Sequence, residues 1–524
     1  MRRTISIHAQ TLRGQNITSL ALIVGGLLAL SFISYHWIAR GDLTRLVIIC
    51  LGLVVLGIGL IVLSNWRFGL YLFLIWLVFE DLPRKYLGNN MIIYFGKDVL
   101  VGIAYVAFFI THKRNRVRTF SPPFLFPLLL FAGLSFIQVF NPNSPSILFG
   151  IVGLKLYLYY VPLLFLGYAL IRSERDLQVF LVLNLIVAGV VALLGIIQAI
   201  VGLNFLNPQV VAPELAMLSQ LVKQAPSGVL VPRPCSVFVS DARFSYYMLF
   251  MLLLGLGTAG YMLLRGYSGK KIGIIFLGIG LFISAIVMSG GRAPFMFMLG
   301  NILVFAAASL WGAFHHRYQR VQLVRAIEWV FIISGIGLLI LILIFPDEIG
   351  ARWSYYYETI APWSPTTELG YRLKEYPVGN FLEAFSHPEW PVGYGIGTAS
   401  LGIQYVAAFL GISPPELWVE NGFGVLVVEL GILGLLLWVA WTVALIYSGW
   451  RITKRLRGTA VFPVGFVILW FAFLLLIVFT WGAISSYQNF IFNAYLWLLV
   501  GILFRLPGLV AEGQIRARTP AHGR

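Results

Sequence analysis

Charge is what this chain has least of. Only 11% of its 524 residues are charged, against 59% hydrophobic, where a soluble protein carries about 25% charge. Its mean hydropathy is +0.88. So apolar a chain cannot cover a water-facing surface, which excludes a set of soluble domains and makes lipid its solvent. Cysteine is nearly absent: Cys50 lies in an apolar run and Cys235 in a polar loop. Those settings argue against a disulfide, and neither cysteine has metal-binding spacing. No two of the six aspartates are two residues apart, so there is no D-x-D sugar-nucleotide site. There is also no G-x-x-x-x-G-K-[ST] loop, which argues against an ATP-driven pump. Internal repeats and low-complexity segments are missing too. Neither a cofactor nor a bound metal is expected.

What is present is a series of apolar runs. A span needs about 20 apolar residues, and the runs fall at 17–38, 46–63, 67–79, 92–110, 122–140, 147–171, 177–202, 243–264, 271–289, 293–314, 326–345, 421–447, 461–482 and 486–504. The expected fold is an all-α polytopic membrane protein of about 14 transmembrane helices. The third run is short enough to be re-entrant. The first, after Arg2, Arg3 and Arg13 and with no A-x-A site, is read as a retained anchor. With the N-terminus inside, 24 of the 37 Lys and Arg residues fall on the inner side and 11 on the outer. That bias places both termini in the cytoplasm. It also explains the net charge of +17 by topology rather than by nucleic acid. The tail after Pro507 is expected to be disordered.

One membrane domain is therefore expected over 1–524: helices over 1–230, a core over 230–447, and C-terminal helices with a cytoplasmic tail over 448–524. Two outer loops are long, about Gly202 to Ala242 and Pro346 to Glu420. The second, 346–420, is expected to form short helices. It holds Trp353, Tyr355, Tyr356, Tyr357, Trp363, Trp390 and Trp418, a density that suits a lid at the membrane interface and also stacking on sugar rings. Gly393-Tyr394-Gly395-Ile396-Gly397 imitates a dinucleotide fingerprint. It follows a proline-rich loop with no preceding strand, and is read as a flexible turn.

Arginine at the outer edge runs against the positive-inside bias. Arg233 and Arg243 flank the start of the eighth run, Arg292 sits in the turn Ser289-Gly290-Gly291-Arg292, and Arg372 lies in the large loop. Guanidinium forks bind phosphate bidentately, so Arg233, Arg292 and Arg372 are candidate diphosphate ligands. The bland alternative is that each pairs with a local carboxylate. Charges inside spans are functional candidates. By rise per residue, Asp98 lies about 9 Å below the outer end of its run, and Lys155 and Glu429 about 12 Å below theirs. That permits a Lys155–Asp98 or a Lys155–Glu429 pair. Glu80-Asp81 is read as a loop carboxylate pair beside Arg84 and Lys85.

Several of these segments together resemble one family. Glu420-Asn421-Gly422-Phe423, followed by Glu429-Leu430-Gly431-Ile432-Leu433-Gly434, is similar to the O-antigen ligase and polymerase superfamily, in which such a pair opens a span containing Glu-x-Gly-x-x-Gly. Tyr371-Arg372-Leu373, Phe381 to Phe385, His387-Pro388 and the Gly393/Gly395/Gly397 run resemble the family's preceding loop. Ser289 to Arg292 resembles its Ser-Arg-Gly turn. Arg233 to Phe238 resembles its Arg-x-x-Gly-x-Phe, with Ser236 where glycine is usual. The resemblance covers about 230–447.

It implies a membrane glycosyltransferase of the GT-C class in the bacterial inner membrane, free of metal and nucleotide sugar. Such an enzyme moves a glycan from undecaprenyl diphosphate to an acceptor hydroxyl on the outer face, in O-antigen, lipopolysaccharide or exopolysaccharide assembly. The partners implied are the lipid-linked donor, a glycan or glycolipid acceptor, and the bilayer. The ligase pattern has histidine where this chain has Glu420, which suits a polymerase or another acceptor. Glu420 is the expected base, His387 the competing one, and Asn421 an orienting neighbour. The alternative is a transporter or flippase of lipid-linked oligosaccharide or polysaccharide. It predicts repeats and midplane polar residues, and the sequence has neither.

Overall fold

The computed structural model describes residues 43–114, 120–208, 218–312, 317–417, 419–482 and 486–518. The first predicted run, 17–38, and Trp418 lie outside them. Each of the other runs falls on helix: α1 Leu43–Ser64, α2 Trp66–Phe79, α3 Asp81–Leu87, α4 Met91–Arg114, α5 Leu125–Ile137, α6 Ile147–Leu158, α7 Leu163–Leu170, α8 Glu174–Val201, α9 Asp241–Leu264, α10 Gly269–Met288, α11 Arg292–Gly312 and α12 Arg317–Ile344. After the large loop come α16 Gly422–Arg455, α17 Phe462–Gly482 and α18 Phe490–Arg518. Among the described residues nine helices are long and apolar enough to cross a membrane, whereas α2 and the helix over Leu125–Phe140 are shorter. The last helix runs through Pro507 to Arg518, correcting the expectation of disorder after that proline as far as Arg518; residues 519–524 lie outside the described ones.

Local chemistry sets the helix starts. Ser173 and Asp176 form a capping box at α8, and the Ser240 hydroxyl accepts the Arg243 N–H at α9; each satisfies N–H groups that the first turn leaves free. Helix α9 is the axis of the bundle, with 89% of its apolar window buried. Lipid tails are as apolar as leucine, so packing and close approach hold helices together here. Small residues make the approach. A methyl at Gly167 on α7 would collide with the Leu498 carbonyl of α18, and one at Gly501 on α18 with the Leu164 carbonyl of α7.

Between α12 and α16 the chain forms α13 Pro346–Ile360, a π-helical turn Tyr371–Glu375, α14 Tyr376–Glu383 and α15 Ile403–Leu410. The expected short helices are there. An unforeseen feature is a hairpin of two three-residue strands, β1 Val222–Gln224 and β2 Leu230–Pro232, paired antiparallel. It delivers Arg233 to the end of the bundle that also carries the large loop.

The glycine run 393–397 is not a flexible turn. It is a strap threaded between α5, α6 and α16. Tyr394 and Gly395 donate to the Val428 and Glu429 carbonyls at 2.8 and 3.0 Å, while Gln138 and Asn141 donate to the Val392 and Gly393 carbonyls at 2.8 and 2.9 Å. Helix α16 makes room by breaking at Gly431, whose φ is 70° and where a methyl would lie 2.5 Å from the Pro391 carbonyl. At Gly397, with φ 89°, a side chain would run into the Phe149 carbonyl. Gly397→Ala should therefore abolish recovery of monodisperse protein in detergent. Gly379→Ala, which meets open space on α14, should leave the yield unchanged; size-exclusion chromatography of both variants is the check.

Candidate functional site at the lid end of the bundle

Helix α13 is the foundation of this end. Arg352 is wholly buried, and each of its three guanidinium nitrogens donates a hydrogen bond. Nε donates to the Met288 carbonyl at 2.7 Å, Nη1 to Glu348 at 2.6 Å and Nη2 to Pro232 at 2.9 Å. A guanidinium stays charged under burial, and three carbonyl dipoles solvate it here. One side chain thus ties the lid helix to the end of α10 and to β2. One turn on, Tyr356 stacks on Phe295 at 4.5 Å and 13°. Trp353, Tyr357 and Trp363 stay exposed. The aromatic loop is thereby divided into a packed face and a free face.

The clasp sets the Ser289–Arg292 turn beneath the lid. Arg292 Nη1 meets Glu368 Oε2 at 2.9 Å, and Arg372 Nε meets the same oxygen at 3.2 Å. Two of the three candidate arginines therefore converge, on a carboxylate 76 residues from one and four from the other. Each guanidinium lies over a tyrosine ring, Arg292 over Tyr355 at 5.4 Å and Arg372 over Tyr376 at 4.8 Å. Arg233 packs against Gly290 of the same turn, its Cγ 3.2 Å from where a Gly290 methyl would sit, and pairs with Asp241 at 2.7 Å. Carboxylates thus meet all three arginines, as the bland alternative held. Arg243 serves elsewhere, bound to Asp81, which also holds Arg84 at 2.9 Å.

Of the two pairings open to Lys155, the structure has Lys155–Asp98 at 2.6 Å; Asp98 also accepts the Tyr160 hydroxyl at 2.8 Å. Glu429 is buried away from Lys155. Its Oε1 accepts the Ala399 N–H at 3.0 Å and the Ser400 hydroxyl at 2.6 Å. It anchors the strap, and a charge partner is not what holds it.

Asn421 corrects a second expectation. Its Oδ1 accepts the Phe423 and Gly424 N–H groups at 2.9 and 3.0 Å, and its Nδ2 donates to Pro377 and Trp481 at 3.0 and 2.7 Å. Fully buried and fully engaged, it is the cap of α16 and the tie between α14 and α17. It has no hydrogen-bonding capacity left to orient a base or an acceptor. Glu420 is not the cap. Its backbone N–H donates to Asn380 at 3.1 Å, and among the described residues its carboxylate has no hydrogen-bond partner. His387 lies beyond α14 with its ring edge-on to Tyr394 at 6.2 Å, and no contact joins it to Glu420. Among the described residues no group of three His, Cys, Asp or Glu side chains gathers as a metal set.

No protein-family profile, curated protein or solved structure matches the chain.

Two expectations follow from this geometry. Asn421→Ala removes a cap worth about 0.5–2 kcal/mol and also leaves two buried carbonyls unpaired, so the detergent-solubilised protein should melt several degrees lower. Asn421→Asp keeps the cap acceptor but turns a carboxylate oxygen toward the Pro377 and Trp481 carbonyls, and should also melt lower. Glu368 supplies the pH dependence. Burial raises its pKa, but the pull of Arg292 and the hydrogen bonds from Arg292 and Arg372 outweigh it, so the value lies below the ordinary 4.5. Its contribution is present above about pH 4.5 and disappears as pH falls through the lowered value. Protection from hydrogen exchange across 361–375, referred to the intrinsic rate at each pH, should be high at neutral pH and lower below that value, and in Glu368→Gln it should already be low at neutral pH.

Proposed function

We propose that the protein is a membrane glycosyltransferase of the O-antigen ligase and polymerase type. It moves a glycan from undecaprenyl diphosphate to an acceptor hydroxyl at the outer face of the bacterial inner membrane. The single observation that carries this reading is the meeting of Arg292 and Arg372 on one anionic oxygen, with Arg233 on the adjoining turn, under a lid rich in aromatics. A site already shaped for a carboxylate between two guanidiniums suits the phosphates of a lipid-linked donor. The backbone adds support. Ser236, where the family usually has glycine, has a φ of 52°, and Gly431 of the Glu-x-Gly-x-x-Gly segment has a φ of 70°. Both are left-handed positions that favour glycine.

In the proposed topology about fourteen helices cross the bilayer, both termini face the cytoplasm, and the lid lies outside. The acceptor oxygen attacks the sugar's anomeric carbon and passes its proton to a base. The bond from that carbon to the phosphate oxygen breaks, and its electron pair leaves with the lipid diphosphate. Arginines neutralise the charge that develops there. Glu420 is the proposed base, since its carboxylate is half-buried and uncommitted at the mouth of α16. Exposed Trp353, Tyr357 and Trp363 offer faces on which sugar rings stack.

Glycan transfer from a lipid-linked donor in proteoliposomes tests the reading. Arg292→Lys should lose most activity because the fork geometry is gone. Glu420→Gln should fall about 10²–10⁴-fold, and His387→Ala should fall less. Unchanged turnover in both Arg292→Ala and Arg233→Ala would remove the diphosphate site. Near-parent turnover in Glu420→Gln alongside a dead His387→Ala would move the base to His387. Movement of donor across the bilayer without transfer would favour the flippase.

A further inference from the structure

The arginines of this molecule fall into two kinds. Arg352 commits Nε and both Nη groups to three backbone carbonyls and is sealed from solvent. Arg243 binds an aspartate that is itself buried. These are structural. Arg292 and Arg372 are different. Each donates to Glu368 through one nitrogen only, and both choose Oε2, leaving Oε1 without a partner among the described residues. The side chains are open to solvent, 26% for Arg292, 47% for Arg372 and 43% for Glu368. Two forks capable of five donors each thus share one oxygen of a ligand that fits them poorly. Both are backed by tyrosine rings, so the guanidiniums are placed independently of that ligand.

A phosphate fits better. A diphosphate diester offers two non-bridging oxygens on each phosphate and can take both forks bidentately. Charge agrees. With Glu368 in place the three arginines face two carboxylates, Asp241 and Glu368. With Glu368 withdrawn, Arg292 and Arg372 present two uncompensated positive charges, and a diphosphate diester carries one negative charge on each phosphate. Helix α11 begins at Arg292 itself, and the positive end of a helix dipole favours an anion near its N-terminus.

We propose that Glu368 is a built-in stand-in for phosphate: it fills the Arg292–Arg372 anion site until a diphosphate-bearing ligand displaces it, and its departure frees the lid stretch 361–370 while Arg372 stays on the ligand. This rests on the reading of those arginines as the diphosphate site. The displaced carboxylate sits on the lid itself, four residues before Arg372 in the π-helical turn, so binding and lid release are one event. The stand-in lowers apparent affinity by the fraction of time it holds the site, which keeps an empty site closed to stray anions.

The test uses the full chain in phosphatidylcholine nanodiscs. Two probes are titrated: inorganic pyrophosphate, and undecaprenyl diphosphate incorporated in the nanodisc. Binding is read by the shift in melting temperature, and lid order by hydrogen exchange across 361–370. The parent should bind both probes and exchange faster in the lid when they are bound. Glu368→Gln should bind both about five- to tenfold more tightly, with lid exchange already fast and insensitive to ligand. Glu368→Asp, which keeps the charge one methylene back, should fall between. Arg292→Gln should lose binding. If only the lipid-borne probe binds, with these effects, the source is the lipid diphosphate; if free pyrophosphate does so equally, the site reads the phosphates alone. Should both Glu368 variants bind no better than the parent while Arg292→Gln still loses binding, the stand-in role is overturned and the diphosphate site survives. Should no protein, parent included, bind either probe, the diphosphate reading falls and the stand-in role with it.

Discussion

A single buried guanidinium governs the geometry of the lid end. Among the described residues Arg352 forms no salt bridge, and its guanidinium donates to the Met288, Glu348 and Pro232 carbonyls. Those carbonyls belong to the end of α10, to the lid helix itself and to the β2 strand. Removing the guanidinium would leave three carbonyls without this donor, one of them at a fully buried hydrogen bond, which costs more than the loss of a salt bridge at a surface. With the clasp in place, Tyr356 reaches Phe295, Tyr355 lies under Arg292, and Arg233 is drawn against Gly290. The proposed chemistry depends on this framework, although Arg352 itself is too deeply buried to touch a substrate.

The helices were legible because lipid leaves the backbone no alternative to satisfying itself along each span. The apolar runs consequently fall on helices wherever the chain is described, and the short third run stays a short helix, Trp66–Phe79. Where the sequence had to report contacts, it reported less. Depth in the span narrows the partners of Lys155 to Asp98 and Glu429, and the structure has Asp98. Glu368 was not legible, because nothing local marks a glutamate for an arginine 76 residues upstream. Arg352 also escaped notice. The available signal was an arginine that breaks the positive-inside bias under the expected topology, together with Tyr356 four residues later on the same helical face.

Two misreadings share a cause. By residue type alone the Gly393–Gly397 run reads as flexible and Asn421 as an orienting group. In the structure those glycines let one backbone lie against another. Asn421 matches two donors and two acceptors that three separate elements supply. Both roles exist only once the partners have been brought together, and partners of that kind leave no trace in a local pattern.

The seam between α7 and α18 bears on how the chain is made. Gly167 and Gly501 each lie against the other helix's backbone, yet one is near the first third of the chain and the other near its end. At about 5–20 residues per second of synthesis, α7 waits on the order of tens of seconds before its partner emerges. Throughout that interval the small-residue face of α7 is open to lipid or to other helices, so this seam forms only once α18 has been made. A chain cut short before Gly501 would keep nearly all its spans and still lack the surface against which its N-terminal half is built.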